Sequence, residues 1–304
     1  MPDGIRSWTV RRALVLDLDG SVCGLHDADI CRLQEQQEAI RFSCSLRQLA
    51  DLVRMAEQPL EANTGVVFVG SGDFHHVSFA LIDRVARRQP IEVVVLDNHP
   101  DNMRWMGGIH CGSWVRHVTR LPNVSHVHVL GITSPDISAR QLWANYLSPL
   151  LRGRLTYWSV GVTVSWMHRW GWRSAFNNFR TAAELCEAFA GMQAHSVQPV
   201  YLSIDKDVLA PDLVTCNWDQ GCFEEQDVQR ILTSVKGRIV ASDITGELSA
   251  YDYKAGWKRW ISSRDEQPVV DLDTLSAEQG RHGELNARLA RRIHEAMAVR
   301  PASS

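Results

Sequence analysis

Acidic and histidine residues follow three of the apolar runs in this sequence. The run VVVL ends in DNHPD, which places Asp97, His99 and Asp101 at every second position. A chain leaving a β-strand there can direct alternate side chains toward one centre, because the side-chain period of extended chain is two. Carboxylate and imidazole ligands in this spacing suit manganese, iron, nickel or zinc. A solvated loop with a helix-capping aspartate would contain the same residues, so this motif alone leaves both interpretations open.

Two other apolar runs end in similar residues. VYLSI is followed by DKD, where Asp205 and Asp207 should point to one side and Lys206 to the other. Two carboxylates so close repel each other unless a cation or a proton neutralises them. The alternative is a charged loop in which Lys206 pairs with one aspartate. VVFVG is followed by SGDFHH, and a single histidine at such a turn, His75 or His76, is more often a hydrogen-bonded spacer than a ligand.

The combination of the three motifs favours a metal site. Together they offer six oxygen and nitrogen donors, four of them carboxylates, which suits two ions with a bridging carboxylate and a water. Structural zinc would favour a closed, cysteine-rich site. The seven cysteines form no CxxC pair, and their odd number suits free thiols in a reducing compartment.

The elements that must position these residues alternate between strand and helix. The predicted strands are Ala13–Leu18, Val66–Gly70, Glu92–Asp97, Ser125–Leu130, Val200–Asp205 and Arg238–Asp243. The predicted helices are Leu46–Glu57, Val77–Arg88, Ala182–Ala194, Glu224–Val235 and Leu275–Ala298. Nearly continuous apolar strands are typical of a parallel sheet covered on both faces. We therefore expect a three-layer α/β/α sandwich with a mainly parallel central sheet, whose sites gather at the carboxyl ends of the strands.

Length and charge restrict the classes of partner. The 304 residues are expected to form a single domain over 1–304, with a frayed tail at 299–304. Lys and Arg total 32 against 35 Asp and Glu, which gives no basic surface for nucleic acid. No apolar run approaches the ~18 residues of a membrane span, and the N-terminus lacks the pattern of a signal peptide. These features predict a soluble cytoplasmic protein with no nucleic-acid or membrane partner.

The order of the motifs resembles that of the ureohydrolase superfamily, which includes arginase, agmatinase, formimidoylglutamase and guanidinobutyrase. Those enzymes carry GGDHS, DAHxD and SxDxDxxDP at successive strand ends, and the counterparts here are GSGDFHH, DNHPD and SIDKDVLAPD. The resemblance covers roughly residues 66–252 and implies an arginase/deacetylase-like fold. It departs from the family pattern where the aspartate of GGDHS is displaced, where Asn98 replaces a small residue and where APD replaces DP.

The resemblance implies a pair of divalent ions, most often Mn²⁺, and a set of ligands for them. The six implied ligands are His75, Asp97, His99, Asp101, Asp205 and Asp207. Asp97 and Asp205 would bridge the two ions. His75 is preferred to His76 because the following VSFALI then aligns with the helix of the family.

The same resemblance implies residues for catalysis and substrate binding. GGIHCG is similar to a family segment whose histidine shuttles protons, which implies that role for His110. VASDITGE is similar to a strand end whose glutamate grips the guanidinium, which implies Glu247 if an insertion at Gly246 is allowed. Asn102 and Asp219 are further expected substrate contacts.

The function implied is hydrolysis of a C–N bond in a guanidino or amidino compound, such as a formimino compound. A metal-bridging hydroxide, held by Asp101 or Asp207, would be the nucleophile, and urea or formamide would be released with an amine. Family members are often homo-oligomers. A catalytically silent binding or scaffold protein of the same fold is the alternative.

Two other segments lie outside this pattern. The run LVLDLDGSV resembles the signature of haloacid-dehalogenase-type phosphatases, with Asp17 as nucleophile and Asp19 as acid and base, which makes a phosphatase the less favoured enzyme class. The Trp-rich segment 155–172 is interpreted as a variable substrate loop. It would serve either as an aromatic lid over a cationic substrate or as packing against a core or a neighbouring subunit.

Overall fold

The computed structural model describes residues 12–63, 65–164, 174–262 and 270–297. The strands are β1 (Leu14–Asp17), β2 (Asp29–Arg32), β3 (Ser43–Cys44), β4 (Val66–Ser71), β5 (Ile91–Leu96), β6 (Ile109–His110), β7 (Val124–Ile132), β8 (Leu155–Val160), β9 (Phe176–Phe179), β10 (Val200–Asp205) and β11 (Ile239–Glu247). The α-helices are α1 (Gln37–Ile40), α2 (Leu46–Met55), α3 (Glu57–Ala62), α4 (Val77–Ala86), α5 (Trp114–Val118), α6 (Ser148–Leu151), α7 (Ala182–Gln193), α8 (Glu225–Ser234), α9 (Gly256–Ser262) and α10 (Leu272–Ala296).

Within these residues, nine strands form one sheet in the order β2-β1-β4-β11-β10-β5-β7-β8-β9. Each neighbouring pair in that sheet is parallel. β3 and β6 form a separate antiparallel pair. The predicted mainly parallel sheet is therefore confirmed.

The sheet is covered on both faces, as its apolar strands require. Along β5, Val93 and Val95 pack into one hydrophobic cluster, whereas Val94 and Leu96 pack into the other. Residues of α2, α4 and α5 belong to the first cluster, and residues of α7, α8 and α10 belong to the second. The result is the expected three-layer sandwich.

The connections leave a switch point in the middle of the sheet. The chain passes from β4 to β5, continues outward through β7, β8 and β9, and then returns to insert β10 and β11 between β4 and β5. Strand order reverses at this point, and a crevice forms at the carboxyl ends of strands in such a place. The ends of β4, β5 and β10, where the three sequence motifs lie, meet at this crevice.

The six predicted strands are present as β1, β4, β5, β7, β10 and β11, with shifted ends. The predicted helix over 46–57 is divided, because α2 ends at Met55 and α3 begins at Glu57. β2, β8 and β9 were not expected. The interpretation of segment 155–172 as a loop is wrong for its first residues, which form β8 with Tyr157 and Trp158 buried in the core. Residues 165–172 lie outside the described residues.

No helix among the described residues combines the length and the apolar character needed to cross a membrane.

Candidate metal centre

The six predicted ligands reach one cavity from three strand ends. His75 follows the turn Gly72–Phe74 at the end of β4, and Asp97 directly follows β5. Asp205 is the last residue of β10, and Asp207 lies in the short 3₁₀ turn after it. All six line a cavity of about 420 Å³ at the switch point, and five of them are buried.

The first ligand group surrounds His75. Its Nδ1 lies 3.2 Å from Asp97 Oδ2, 3.1 Å from Asp101 Oδ2 and 3.3 Å from Asp205 Oδ2. His75, Asp97 and Asp101 place one ligand atom each within 4.8 Å of the others, and all three are buried. We call these three residues the buried half of the centre.

The second ligand group surrounds His99. Its Nδ1 lies 3.0 Å from Asp207 Oδ2 and 3.6 Å from Asp97 Oδ1. Asp97, His99 and Asp207 again place ligand atoms within 4.8 Å of one another. We call these three residues the rim half, since the side chain of His99 is 17% exposed. Asp97 belongs to both halves, with one carboxylate oxygen directed to each histidine.

Backbone amides hold the carboxylates in this arrangement. The N–H of His99 donates to Asp97 Oδ1 at 2.7 Å, and the N–H of Asn98 donates to Asp207 Oδ1 at 3.1 Å. The N–H of Asp207 donates to Asp205 Oδ1 at 3.1 Å. Each turn therefore fixes a ligand of its own or of the neighbouring strand.

Asp101 is placed by a strained backbone and a tryptophan. Its φ of +44° lies in the left-handed region, which is uncommon for a residue other than glycine. The indole Nε1 of Trp114 donates to Asp101 Oδ2 at 2.5 Å, and the N–H of Val115 donates to the carbonyl of Asp101. Sequence reasoning missed Trp114, because nothing in its local pattern distinguishes it from a core residue.

Crowding of carboxylates raises the pKa of most of them. Burial, followed by the charge of Asp97, raises the pKa of Asp101 to about 7, and the same two causes raise the pKa of Asp207 to about 7. Burial and the charge of Asp207 raise the pKa of Asp205 as well. For Asp97, burial is outweighed by the nearby imidazoles of His75 and His99, which lower its pKa. The site therefore carries protons that a cation would displace.

The tautomer of His75 also fits a cation. Ser203 Oγ donates to Asp243 Oδ1 at 2.7 Å, so its one hydroxyl proton is used and Ser203 accepts from His75 Nε2 at 3.1 Å. The proton of a neutral His75 is then on Nε2, which leaves a lone pair on Nδ1 facing three carboxylate oxygens. Asp97 Oδ2 is buried and accepts no hydrogen bond. A cation among these atoms would satisfy all of them, so the donor set fits divalent metal ions.

The two histidines differ in what holds their second nitrogen. Behind His75, Asp243 is fully buried and also accepts from the hydroxyls of Tyr201 at 2.5 Å and Ser78 at 2.9 Å. Behind His99, Nε2 lies 2.8 Å from Asp219 Oδ1, whose side chain is 66% exposed. Ser203 and Asp243 were not predicted, although the serine that begins SIDKD was the available signal.

His110 lines the cavity and forms part of a tight turn. Its Nδ1 accepts from the N–H of Gly112 at 2.9 Å, so the N–H of the neutral ring is on Nε2. The ring stacks on Trp105 at 4.6 Å and meets the ring of Phe42 edge-on at 4.4 Å. Burial lowers the pKa of His110 to about 4, so this imidazole is neutral at pH 7.

Three other residues singled out in the sequence do not reach the cavity wall. Glu247, predicted as the guanidinium anchor, is buried outside the cavity wall and pairs with Lys206 at 2.7 Å. The side-chain amide nitrogen of Asn102 donates to Tyr146 O and to Tyr157 Oη, both at 2.8 Å. Asn102 therefore points away from the cavity and does not line it. His76, the alternative to His75, is buried outside the cavity.

The cavity also has a wall that the sequence did not indicate. Trp218 lines it, and the indole Nε1 donates to Asp73 Oδ1 at 3.1 Å. Asp73, the displaced aspartate of the first motif, forms a 2.7 Å ion pair with the buried Arg41. Arg41 also lies 3.6 Å from Asp19. Asp19, predicted as the acid and base of a phosphatase, therefore lies in a buried ion pair with Arg41.

Asp17, the nucleophile in the phosphatase interpretation, is engaged elsewhere. Its two oxygens accept from the backbone N–H of Gly20 and the side-chain amide of Gln34. Neither Asp17 nor Asp19 lines the metal cavity.

Comparisons with known proteins agree with this geometry. A family model described as the arginase family matches residues 2–256. An uncharacterized protein of Thermotoga maritima is 27% identical over 241 residues, which are 79% of this chain and 77% of that protein. Among solved structures, the proclavaminate amidino hydrolase of Streptomyces clavuligerus has a TM-score of 0.54 at 18% identity, covering 94% of this chain and 93% of that one. The agmatine ureohydrolase of Thermoplasma volcanium has a TM-score of 0.53 at 11% identity, covering 94% and 89%. At these identities the two structures demonstrate a common fold.

Proposed function

Since this chain belongs to the arginase family, we propose that it is a metal-dependent hydrolase that cleaves a C–N bond of a guanidino or amidino compound. The observation that supports this most is the sharing of Asp97 between two His/Asp groups in one cavity. Two ligand groups joined by one carboxylate are what a pair of adjacent divalent ions requires.

We assign the ligands by half. His75 and Asp101 would hold one ion, His99 and Asp207 the other, and Asp97 would contact both; Asp205 lies nearest the buried half. Oxygen and imidazole donors without thiolate suit manganese, iron, nickel or zinc. We take Mn²⁺ as the ion, because the family resemblance implies it. When bound, such ions supply Lewis acidity and lower the pKa of water to near neutrality.

The residues of the chain would position the substrate and handle its protons. Trp218 offers an aromatic wall to a planar amidine or guanidinium, a contact that cation–π attraction favours. Neutral His110 can donate a hydrogen bond from Nε2. Hydrolysis adds water across the C–N bond, so one proton of that water must reach the departing amine. His110, which lines the cavity, is the residue that we assign to carry this proton.

The test is release of urea or formamide by the Mn²⁺-loaded protein from a panel of guanidino and formimino compounds. We expect release of at least one of the two products, and we expect His110→Ala to retain its metal while losing most of the rate. Metal loss in the His110 variant would contradict the role assigned to this residue. Absence of both products across the panel, with metal bound, would contradict the proposed hydrolysis.

One observation favours a second candidate, a binding protein of this fold that does not turn over. The carboxylate of Glu247, expected to anchor the guanidinium, is held by Lys206 outside the cavity. Such a protein would bind a guanidino compound in calorimetry and release no product. A homo-oligomeric state and a cytoplasmic location stay predictions, the first to be checked by light scattering.

A further inference from the structure

A buried ionic cluster lies directly behind the metal centre. Lys206 stands between the candidate ligands Asp205 and Asp207, and its side chain is completely buried. Glu247, His282 and Asn286, which surround its ammonium group, are 1% exposed or less. Burying an ammonium group away from water costs free energy unless the protein replaces all of its hydrogen bonds to water.

The protein replaces all the hydrogen bonds that the ammonium group of Lys206 would make to water. An ammonium group has three donors, and Lys206 Nζ lies 2.7 Å from Glu247 Oε1, 2.7 Å from His282 Nδ1 and 3.0 Å from Asn286 Oδ1. The acceptors are fixed in turn, because Asn286 Nδ2 donates to Glu247 Oε1 at 2.8 Å and His282 Nε2 lies 2.9 Å from the carbonyl of Thr215.

This cluster joins parts of the chain that are far apart in sequence. Lys206 belongs to the turn after β10, Glu247 ends β11, and His282 and Asn286 lie on α10. β11 approaches that turn so closely that a Cβ on Gly246 would lie 2.4 Å from Asp205 Oδ1 and 2.6 Å from Lys206 N. Gly246 also has a φ of +90°, so only glycine fits there.

We infer that Lys206 and α10 are positioning elements of the metal centre: the helix holds Lys206, and Lys206 holds the turn that presents Asp205 and Asp207. This rests on the proposed two-ion site but adds a part of the chain, residues 272–296, that lies beyond the segment matched by the family model. It also accounts for Glu247, which serves this cluster in place of the substrate.

The main test compares Lys206→Met with Glu92→Gln in the full chain. Glu92 is a buried carboxylate at the other end of β5 and forms hydrogen bonds with His128 and Gln193. Glu92→Gln therefore perturbs a buried polar contact of similar kind away from the site. Binding of Mn²⁺ is followed by the loss of the electron paramagnetic resonance signal of free Mn²⁺. We expect Lys206→Met to weaken Mn²⁺ binding at least tenfold and Glu92→Gln to change it less than twofold.

The direction of the change in Mn²⁺ affinity distinguishes a positioning role of Lys206 from an effect of its charge alone. Removing a positive charge beside the site would by itself strengthen cation binding, so weakened binding requires that the turn has moved. Unchanged or tighter binding in Lys206→Met, or equal weakening in both variants, would overturn the inference. If the wild-type protein binds no Mn²⁺, both the proposed function and this inference are contradicted. If the wild-type protein binds two ions and Lys206→Met does not weaken their binding, only this inference is contradicted.

A second measurement covers the case in which Lys206→Met does not fold. Asn286→Ala changes no charge and acts from α10. We expect it to weaken Mn²⁺ binding several-fold, and we expect Mn²⁺ to slow hydrogen exchange of α10 around His282 in the wild type but not in this variant. α7, which packs on the same face of the sheet, is the internal control. Equal slowing in α7 and α10, or none in α10, would contradict the coupling.

Discussion

The buried half and the rim half of the candidate metal centre use the same kinds of ligand in different surroundings. In each half a histidine Nδ1 faces Asp97 and one further aspartate. Behind His75, however, the second nitrogen meets the buried Ser203 and Asp243, whereas behind His99 it meets the largely exposed Asp219. Hydrogen bonds to a metal-binding histidine orient the ring and raise its basicity, and their strength depends on how far water is excluded.

The difference shows which half of the centre is held more firmly by the rest of the protein. The buried half is fixed by the sheet, by Trp114 and by a carboxylate that three hydroxyl groups hold in place. The rim half has one loop carboxylate in that role. We therefore expect mutations behind the buried half to have larger and more local effects than mutations behind the rim half.

The largest effect is expected from the residue that the halves share. Asp97→Ala removes a ligand from both halves and should abolish retention of both ions. Asp136→Ala, a change in the same cavity wall but outside both ligand groups, is the matched control and should keep both. Elemental mass spectrometry after Mn²⁺ loading and desalting measures the content, and one ion retained by Asp97→Ala would contradict the sharing.

Acidification should weaken both halves together. Asp101 in one half and Asp207 in the other each have a pKa of about 7 without metal, and the pKa values of both histidines are raised by their carboxylate partners despite burial. Protons must leave for a cation to bind, so affinity rises with pH. With one pKa unit equal to a factor of ten, Mn²⁺ affinity should fall about a hundredfold or more from pH 7 to pH 5.

Stability of the metal-free protein should follow the opposite trend over the same range. Groups whose folded pKa is raised bind more protons in the folded than in the unfolded state, so their contribution to stability is lost as pH rises through the folded values. Thermal unfolding at pH 5 and pH 8, with and without Mn²⁺, measures both trends. A metal-free protein that is more stable at pH 8, or a Mn²⁺ effect that is larger at pH 5, would contradict the assignment.

A smaller and one-sided effect is expected from Ser203→Ala. Loss of the hydroxyl leaves His75 Nε2 without its acceptor, and such contacts are worth about tenfold to a hundredfold in metal affinity. One of the two ions should therefore bind more weakly. Ser78→Ala is the control, since the Ser78 hydroxyl donates to the same oxygen of Asp243 and makes no hydrogen bond to the imidazole of His75. Equal weakening in both serine variants would show that Asp243, and not the contact with His75, is what matters.

The smallest effect is expected from Asp219→Asn behind the rim half. Exposed ion pairs contribute up to about 1 kcal/mol, which corresponds to about fivefold in the affinity of one ion. The effect should shrink further at high salt, because exposed charges are screened. A titration at low and high ionic strength measures it. A loss as large as that of Ser203→Ala would remove the distinction between the halves.

Local sequence patterns predicted the parts of this molecule that depend on neighbours in sequence. The family expected from the motifs is confirmed, as is the mainly parallel sheet. Asp97, His99 and Asp101 could be singled out because they follow the end of an apolar strand at every second position. The left-handed backbone and the tryptophan that place Asp101 could not. β8 was missed because its tryptophan and tyrosine resemble those of a binding loop, and only the completed sheet makes them core residues.

Features that depend on distant contacts could not be predicted in this way. Glu247 follows the strand end as the family pattern suggests, but its direction is decided by Lys206 and by α10, which lie far away in sequence. Ser203 likewise acts through His75, which follows a different strand. Trp114 acts through Asp101, which belongs to the loop after β5. A one-residue difference at Gly246 is enough to turn a side chain from the cavity to the interior, because side chains alternate along a strand.

The account rests on two ions held around Asp97, so the most direct test is the number of metal ions per chain. The wild-type protein should be incubated with Mn²⁺ at pH 8, desalted and analysed by elemental mass spectrometry together with the Asp97→Ala variant. We predict about two ions per wild-type chain and none in the variant. Wild-type protein that retains no ion or a single one would contradict the two-ion centre and leave the arginase-family fold without the chemistry proposed for it.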